Sequence, residues 1–200
     1  MAISFLVIDD FLESPDEMRN QAIGLEYHDQ PGPYIGRNSK QHAQLPGLDQ
    51  YVSSLVGENL KPIEPRQSHG KFRITLAEHD GVPAIHNDPS QWSGILYLTK
   101  PEHCQGGTEF FRHKETNLES SPINDQVAQD WGFSSQSEVI DSTLGKDAKN
   151  HDAWEKTMEI PMRYNRLLLL RPWLFHTSGP GFGTSPENGR LIYTMFFTMK

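Results

Sequence analysis

The sequence has little cysteine and no long hydrophobic run, and each shortage excludes a class of protein. Cys104 is the single cysteine among 200 residues, so an intramolecular disulfide is impossible and a reduced, cytoplasmic protein is expected. The longest apolar runs, such as residues 167–170, are far too short to cross a bilayer. The N-terminal stretch MAISFLVIDDFL contains Asp9 and Asp10 and no basic segment, so it does not predict a secretory signal.

Positive charge is also scarce. Lys and Arg number 18 against 26 Asp and Glu, which leaves a formal net charge of −8 at pH 7. Such a chain binds nucleic acids and anionic membranes poorly unless it has a local basic patch. We therefore expect neither a nucleic-acid partner nor a membrane partner, whereas the sequence predicts no particular oligomeric state.

Apolar residues make up only 36% of the chain, while Gly and Pro number 16 and 14. This composition favours turns and short strands over long helices. Residues 3–8 predict a strand, and Ser14 and Pro15 predict the cap and first turn of a helix. Residues 48–56 predict a second short helix, and residues 26–46 predict a long loop.

Short strands recur at regular spacing from residue 62 onwards, which predicts an all-β sandwich or jelly roll. The strand segments are GKFRITLAEH, AIHND, SGILYLTK, GGTEFF, KTMEIPM, NRLLLLRP and GRLIYTMFFTM. We predict one domain, made of an N-terminal support (1–60), core strands (62–111 and 157–199) and an insert (112–156) within 1–200.

The insert at 112–156 interrupts the rhythm of strands and has no strong period of its own. A long loop of this kind is either a lid over a functional site or a surface decoration, and both interpretations stay open. Its aromatic residues Trp131, Phe133 and Trp154 are candidate walls of a substrate site.

One His-x-Asp triplet, together with a histidine and an arginine far along the chain, forms a candidate metal and co-substrate site. His86-Asn87-Asp88 lies on a predicted strand, where residues two apart point to the same face. His176 follows the most apolar strand, and Arg190 opens the last one. Two imidazoles and one carboxylate bind one face of an iron(II) ion and leave the other face open. A buried Arg can then hold the carboxylate of a co-substrate.

Each member of this set also has a structural interpretation. His176 can be a hydrogen-bonded core histidine, because it stands beside Phe175. Asp88 can start a turn, since a proline follows it, and Arg190 can pair with an acidic neighbour at a sheet edge.

Taken together, these segments resemble the iron(II)/2-oxoglutarate-dependent dioxygenase superfamily, and more narrowly its prolyl-hydroxylase-like branch. The resemblance runs from about residue 71 to residue 199, and the insert aligns poorly. The segments that carry it are IHNDPSQWSGILYLTKPEHCQGGTEFF, NRLLLLRPWLFHTSGPGF and GRLIYTMFF. It implies a mainly β fold with flanking helices, the double-stranded β-helix, which is a cupin-like jelly roll.

The resemblance also implies roles for individual residues. His86, Asp88 and His176 correspond to the iron ligands at the catalytic centre, and Arg190 to the partner of the distal carboxylate of 2-oxoglutarate. Tyr97, on a neighbouring strand, is a candidate for a hydrogen bond to that same carboxylate. The implied cofactors are Fe(II), 2-oxoglutarate as co-substrate, and O2.

The implied reaction is hydroxylation of an aliphatic C–H bond of a small molecule, such as an amino acid, or of a peptide side chain. Succinate and CO2 are released. Asp88 favours hydroxylation over halogenation, since related halogenases have a small residue in its place. Nucleic-acid demethylases carry a second Arg shortly after the first, and none follows Arg190.

The sequence names no substrate, and two other functions stay open. Candidate substrate-binding residues are Arg112, Arg171 and Trp173, which flank the predicted metal strands. A non-catalytic jelly-roll ligand-binding module would need no metal triad, and its two histidines would lie far apart. A metalloenzyme that does not use 2-oxoglutarate would keep the ligands but would not need Arg190.

Overall fold

Eleven strands form two antiparallel sheets in the computed structural model, which describes residues 3–29, 34–79 and 81–200. The strands are β1 (Phe5–Ile8), β2 (Tyr27–Asp29), β3 (Arg37–Ser39), β4 (Leu60–Pro62), β5 (Lys71–Thr75), β6 (Trp92–Tyr97), β7 (Gly107–His113), β8 (Trp154–Pro161), β9 (Leu167–Leu170), β10 (His176–Thr177) and β11 (Arg190–Met199). The α-helices are α1 (Pro15–Ile23), α2 (Leu48–Val56), α3 (Asp125–Asp130) and α4 (Gln136–Ile140).

The larger sheet has the order β1-β9-β6-β11-β5-β3-β2, and β4 pairs with the end of β11. The smaller sheet has the order β10-β7-β8. This arrangement confirms the predicted mainly β fold with flanking helices. Within the described ranges, no helix is long and apolar enough to cross a membrane.

Alternate residues of β11 face two different environments. One set packs with buried residues of α1 and α2 in the main hydrophobic core: Leu191, Tyr193, Met195 and Phe197. The other set lines a cavity between the two sheets: Arg190, Ile192, Thr194 and Phe196. Because successive side chains of a strand point to opposite faces, one strand supplies both surfaces. The helices cover the apolar face, and the more polar face is left for the cavity.

The N-terminal part forms as the sequence predicts, with one local difference. A strand lies within residues 3–8, and helices occupy Pro15–Ile23 and Leu48–Val56. The Ser14 side chain makes no capping hydrogen bond to the described residues. Its backbone carbonyl accepts instead from the backbone N–H of Glu17 at 3.2 Å, which satisfies one free donor of the first turn.

Two strand predictions differ from the structure. The predicted loop at 26–46 contains β2 and β3, which extend the larger sheet beyond β5, while residues 30–33 lie outside the described residues. These short polar strands pair through backbone hydrogen bonds, so apolar alternation does not reveal them. The predicted strand AIHND is reduced to one backbone bridge between His86 and His176.

The insert at 112–156 is folded rather than an extended loop. Its two ends continue β7 and β8, and α3, α4 and a π-helical turn (Asp141–Gly145) lie between them. Trp154 is only 4% exposed and packs with Ile85, Phe111 and Phe175 in a separate apolar cluster. The prediction of Trp154 as a substrate wall is therefore wrong, because this ring anchors the insert to the barrel.

Candidate metal centre

The two histidines are brought together by the backbone. The N–H of His86 donates to the carbonyl of His176 at 2.9 Å, and the N–H of His176 donates to the carbonyl of His86 at 3.0 Å. This antiparallel pair sets the imidazole ring centroids 4.5 Å apart. The N–H of Asp88 donates to the carbonyl of Pro172 at 3.0 Å, which fixes the third residue beside the turn that leads into β10.

Both imidazoles have the same tautomer at Nδ1. The Nδ1 atom of His86 lies 2.8 Å from the carbonyl oxygen of Ala84, and that of His176 lies 2.6 Å from the carbonyl oxygen of Leu174. Since a carbonyl only accepts, each Nδ1 carries a proton and donates it. Nε2 of each ring is therefore the atom available to a ligand, as in metal-bound histidines held by an outer hydrogen bond.

The Asp88 carboxylate lies opposite these nitrogens. Its Oδ1 is 3.8 Å from Nε2 of His86, and its Oδ2 is 3.5 Å from Nε2 of His176. The hydroxyl of Ser93 donates to Oδ2 at 2.7 Å, and the phenol of Tyr34 donates to Oδ1 at 3.4 Å. With 7% of its side chain exposed, the carboxylate is held in one orientation from two sides.

The charges within this cluster suit a metal ion. Burial lowers the pKa of His86 to about 4, so its imidazole is neutral at pH 7. Burial opposes ionisation of Asp88, but the hydrogen bond and charge of His176, with the charge of His86 and the Ser93 hydroxyl, hold its pKa below the usual value. Burial also disfavours the charged form of His176, yet Asp88 outweighs it and raises that pKa. A cation between the three groups would take the place of the His176 proton.

The ligand atoms of His86, Asp88 and His176 all lie within 4.8 Å of one another. In the described part of the chain this is the single group of three or more His, Cys, Asp or Glu side chains close enough to hold one ion. Two imidazoles and one carboxylate on one side of an ion suit iron(II) with open positions. The structure thus brings together the three residues that the sequence predicted to converge.

Arg190 lies in the same cavity as this cluster. It is only 1% exposed, and its Nε and Nη2 have no hydrogen-bond partner among the described residues. A buried guanidinium without partners is costly, so the arrangement is suited to an anion that enters the cavity. The alternative in which Arg190 pairs with an acidic neighbour does not occur within the described ranges.

Tyr97 stands behind the cavity wall rather than in it. Its hydroxyl shares a hydrogen bond of 2.7 Å with the hydroxyl of Thr108, and Thr108 lines the cavity. The guanidinium carbon of Arg190 lies 5.9 Å from the centroid of the Tyr97 ring. Of these two residues Thr108 lines the cavity, and the shared hydrogen bond lets Tyr97 orient the Thr108 hydroxyl.

The three candidate substrate residues lie in different places. Arg112 is on an exposed face of β7, paired with Glu119 and with Glu155, and does not line the cavity, because β7 directs it outwards. Arg171 is bonded to Glu58, which holds it away from the cavity. Trp173 lines a separate depression that also includes Asp88 and part of the insert.

Sequence reasoning missed three residues around the cluster, namely Tyr34, Arg73 and Ser93. Ser93 follows Asp88 closely, but nothing in the sequence distinguishes its hydroxyl from a surface serine. Tyr34 lies in a segment without a pattern. Arg73 alternates with the apolar residues of β5, a pattern that ordinarily indicates the solvent face of a strand.

Comparison with solved structures shows which fold this is. HygX from Streptomyces hygroscopicus, solved with nickel, 2-oxoglutarate and hygromycin B bound, has a TM-score of 0.52 and 16% identity, covering 98% of this chain and 83% of HygX. SnoK, a non-heme alpha ketoglutarate dependent carbocyclase from nogalamycin biosynthesis, has a TM-score of 0.50 and 11% identity, covering 98% and 79%. At these identities the likeness shows a shared fold, and it confirms the predicted double-stranded β-helix.

Sequence comparison gives a more specific placing. No curated protein matches the chain significantly. One family model matches nearly its whole length, residues 2–197, and its description is a family of unknown function, DUF6445. The chain therefore belongs to the DUF6445 family.

Proposed function

We propose that this protein is an Fe(II)/2-oxoglutarate-dependent oxygenase that hydroxylates an aliphatic C–H bond of a small molecule, such as an amino acid, or of a peptide side chain. Succinate and CO2 would be the co-products. The observation that carries the proposal is one cavity that contains both the His86, Asp88 and His176 cluster and the buried Arg190, whose Nε and Nη2 have no partner among the described residues. HygX, of similar fold, has been solved with nickel and 2-oxoglutarate bound, which supports this cofactor pair.

Each residue then has a chemical task. Nε2 of His86, Nε2 of His176 and one oxygen of Asp88 would hold iron(II). Arg190 would bind the distal carboxylate of 2-oxoglutarate. When bound, the metal and 2-oxoglutarate supply the oxidative chemistry with O2. The protein's part is to fix the ligands, leave positions open on the iron and exclude water.

Thr108 and Tyr97 complete the proposed carboxylate site. Thr108 lines the cavity, and its hydroxyl would donate to the same carboxylate as Arg190. Tyr97 would act through Thr108, since their hydroxyls are 2.7 Å apart. Tyr97 would therefore still contribute to co-substrate binding, as a residue that positions the Thr108 hydroxyl rather than one that contacts the carboxylate.

The proposal includes the narrower predictions from sequence. These are membership of the prolyl-hydroxylase-like branch, a cytoplasmic location, and partners limited to a small-molecule or peptide substrate. The net charge of −8 supports the absence of nucleic-acid and membrane partners. The cavity walls support a small substrate, because the cluster is buried between two sheets.

An anaerobic titration of the protein with iron(II) and 2-oxoglutarate tests the function directly. We expect the weak visible charge-transfer band of the chelate, and succinate release once O2 and substrate are added. Folded protein that binds neither iron(II) nor 2-oxoglutarate would favour the jelly-roll binding module. Iron(II) binding without a 2-oxoglutarate band would favour a metalloenzyme of another kind.

Ser93→Ala should weaken iron(II) binding without abolishing it. The Ser93 hydroxyl donates to Asp88 at 2.7 Å, and loss of such an outer hydrogen bond costs about 10- to 100-fold in metal affinity. Competition with a chelating dye measures the dissociation constant. Ser90→Ala is the matched control, because the Ser90 hydroxyl contacts the Ser93 hydroxyl at 3.0 Å, whereas it is Ser93 that donates to the carboxylate. Equal affinities for the wild type and Ser93→Ala would contradict this role.

A further inference from the structure

A second arginine, Arg73, lines the cavity beside the metal cluster. It lies on β5, where it pairs with Ile192 of β11, while Arg190 pairs with Thr75 two residues along. Because residues two apart share a face, Arg73 and Arg190 both point into the barrel. The site therefore contains two cations, the buried Arg190 and the half-buried Arg73, of which only Arg190 has a task in the proposed function.

Neutral groups hold Arg73 in place. Its Nε donates to the amide oxygen of Asn38 at 2.7 Å, and its guanidinium carbon lies 4.9 Å from the centroid of the Tyr34 ring. No carboxylate lies within ion-pair distance of Arg73 in residues 3–29, 34–79 and 81–200. Burial lowers the pKa of this guanidinium, and the nearby Tyr34 and Asp88 oppose that shift only in part.

Arg73 also lines a second cavity, which adjoins the metal cavity. Tyr34, Arg73, Asp88 and Phe196 form walls of both the metal cavity and this neighbouring cavity of about 170 Å³. The remaining wall is formed by residues 63–68 with Pro89 and Ser90. The Tyr34 ring bridges Arg73 and the metal cluster, since its centroid is also 4.8 Å from that of His86. A molecule in the second cavity would thus contact Arg73 and approach the metal past Asp88.

The charges of the loaded site leave one cation uncompensated. Iron(II) brings two positive charges and Arg190 one, while Asp88 brings one negative charge and 2-oxoglutarate two. These cancel, and the charge of Arg73 remains in a largely enclosed cavity, where an unpaired charge is costly. Tyr34 does not compensate it, because its phenol keeps its proton and donates it to Asp88.

We propose that Arg73 binds a carboxylate of the primary substrate, and that the protein acts on a small carboxylic acid seated in the second cavity. The planar fork of a guanidinium matches a carboxylate, and a single negative charge completes the balance. This inference rests on the proposed function and narrows it to an anionic substrate. An uncharged peptidyl side chain would leave Arg73 without a counter-ion.

Formate tests the assignment, because the smallest carboxylate fits any cavity that accepts a larger one. The protein is loaded with Mn(II) and saturated with 2-oxoglutarate, and binding of both is first measured by calorimetry. Titration with ¹³C-formate then follows the paramagnetic relaxation that Mn(II) induces in the ¹³C signal. We expect saturable enhancement in the wild type, and a dissociation constant at least about 10-fold higher in Arg73→Gln.

Arg19→Gln is the matched control. Arg19 is 7% exposed and has an Nε without a partner among the described residues, but it lies in α1, and its Nη2 donates to the carbonyl of Glu187 at 2.7 Å. Its replacement should leave formate binding unchanged. If Arg73→Gln does not fold by circular dichroism, Arg73→Lys replaces it. The lysine retains the charge without the planar fork and should still weaken binding several-fold.

The outcomes separate this inference from the proposed function. Absence of Mn(II) or 2-oxoglutarate binding in the wild type would overturn both. With both bound, the absence of saturable formate binding would overturn the assignment to Arg73 alone. Formate binding of equal strength in the wild type and the Arg73 variant would also overturn it, since the formate would then lie elsewhere near the metal.

Discussion

Replacing Asp88 with alanine should abolish useful iron(II) binding and reduce 2-oxoglutarate turnover to background. Asp88 is the only acidic member of the three-residue cluster, and its oxygens face both Nε2 atoms. Loss of an outer hydrogen-bond partner already costs about 10- to 100-fold in metal affinity, so loss of a ligand should cost more. Iron(II) stoichiometry after desalting and succinate formation measure the two effects.

Asp147→Ala is the control for this variant. Asp147 is also a carboxylate bonded to a buried histidine, with Nε2 of His113 at 3.2 Å, but no third ligand joins that pair in the described residues. Its loss should lower the free energy of unfolding and leave iron(II) binding intact. Asp88→Ala protein that retains one tightly bound iron(II) would remove Asp88 from the metal site.

Arg190→Met should weaken 2-oxoglutarate binding and, at the same time, stabilise the protein without ligand. Truncating one partner of a buried charged hydrogen-bonded pair costs about 2–5 kcal/mol, which corresponds to a roughly 30- to several-thousand-fold higher Kd. Without ligand, Nε and Nη2 of Arg190 have no partner among the described residues, so an apolar side chain of similar length removes a desolvation cost. Calorimetry with Mn(II)-loaded protein measures the Kd, and urea unfolding measures the stability.

The opposite signs of these two effects distinguish a ligand-binding arginine from a structural one. A structural arginine would lose stability on replacement and would leave the Kd for 2-oxoglutarate unchanged. Arg19→Met supplies the comparison, because this buried arginine of α1 also has a partnerless Nε within the described ranges but lies outside the cavity. Unchanged 2-oxoglutarate affinity in Arg190→Met would contradict the proposed cofactor.

The metal cluster could be predicted because it depends on short-range geometry. His86 and Asp88 are two residues apart and share a face in any extended segment, which the sequence alone implies. No pattern in the sequence predicts which distant segment pairs with the segment that contains His86 and Asp88. His176 was a candidate because it follows an apolar strand. The structure places it directly opposite His86, in a single antiparallel β-bridge.

The structure of the insert at 112–156 could not be predicted, because its local sequence patterns are too weak to indicate helices. Its helices α3 and α4 have only six and five residues, which is too short for a clear helical period. Trp154 was a candidate wall of the substrate site, but its ring is buried in an apolar cluster with Phe175. Burial of this kind depends on contacts between distant parts of the chain.

By itself, the sequence determined the mainly β class, the two N-terminal helices and four polar residues of the cavity (His86, Asp88, His176 and Arg190), because these follow from alternation, helix-start residues and spacing. Only the tertiary structure decided which face of each strand is the interior. On β5, Phe72 and Ile74 pack in the core beneath α1 and α2, so the intervening Arg73 points into the cavity rather than into solvent. Alternation separates two faces of a strand but does not tell which one is covered, and for that reason the second arginine and its neighbouring cavity appear only in the folded chain.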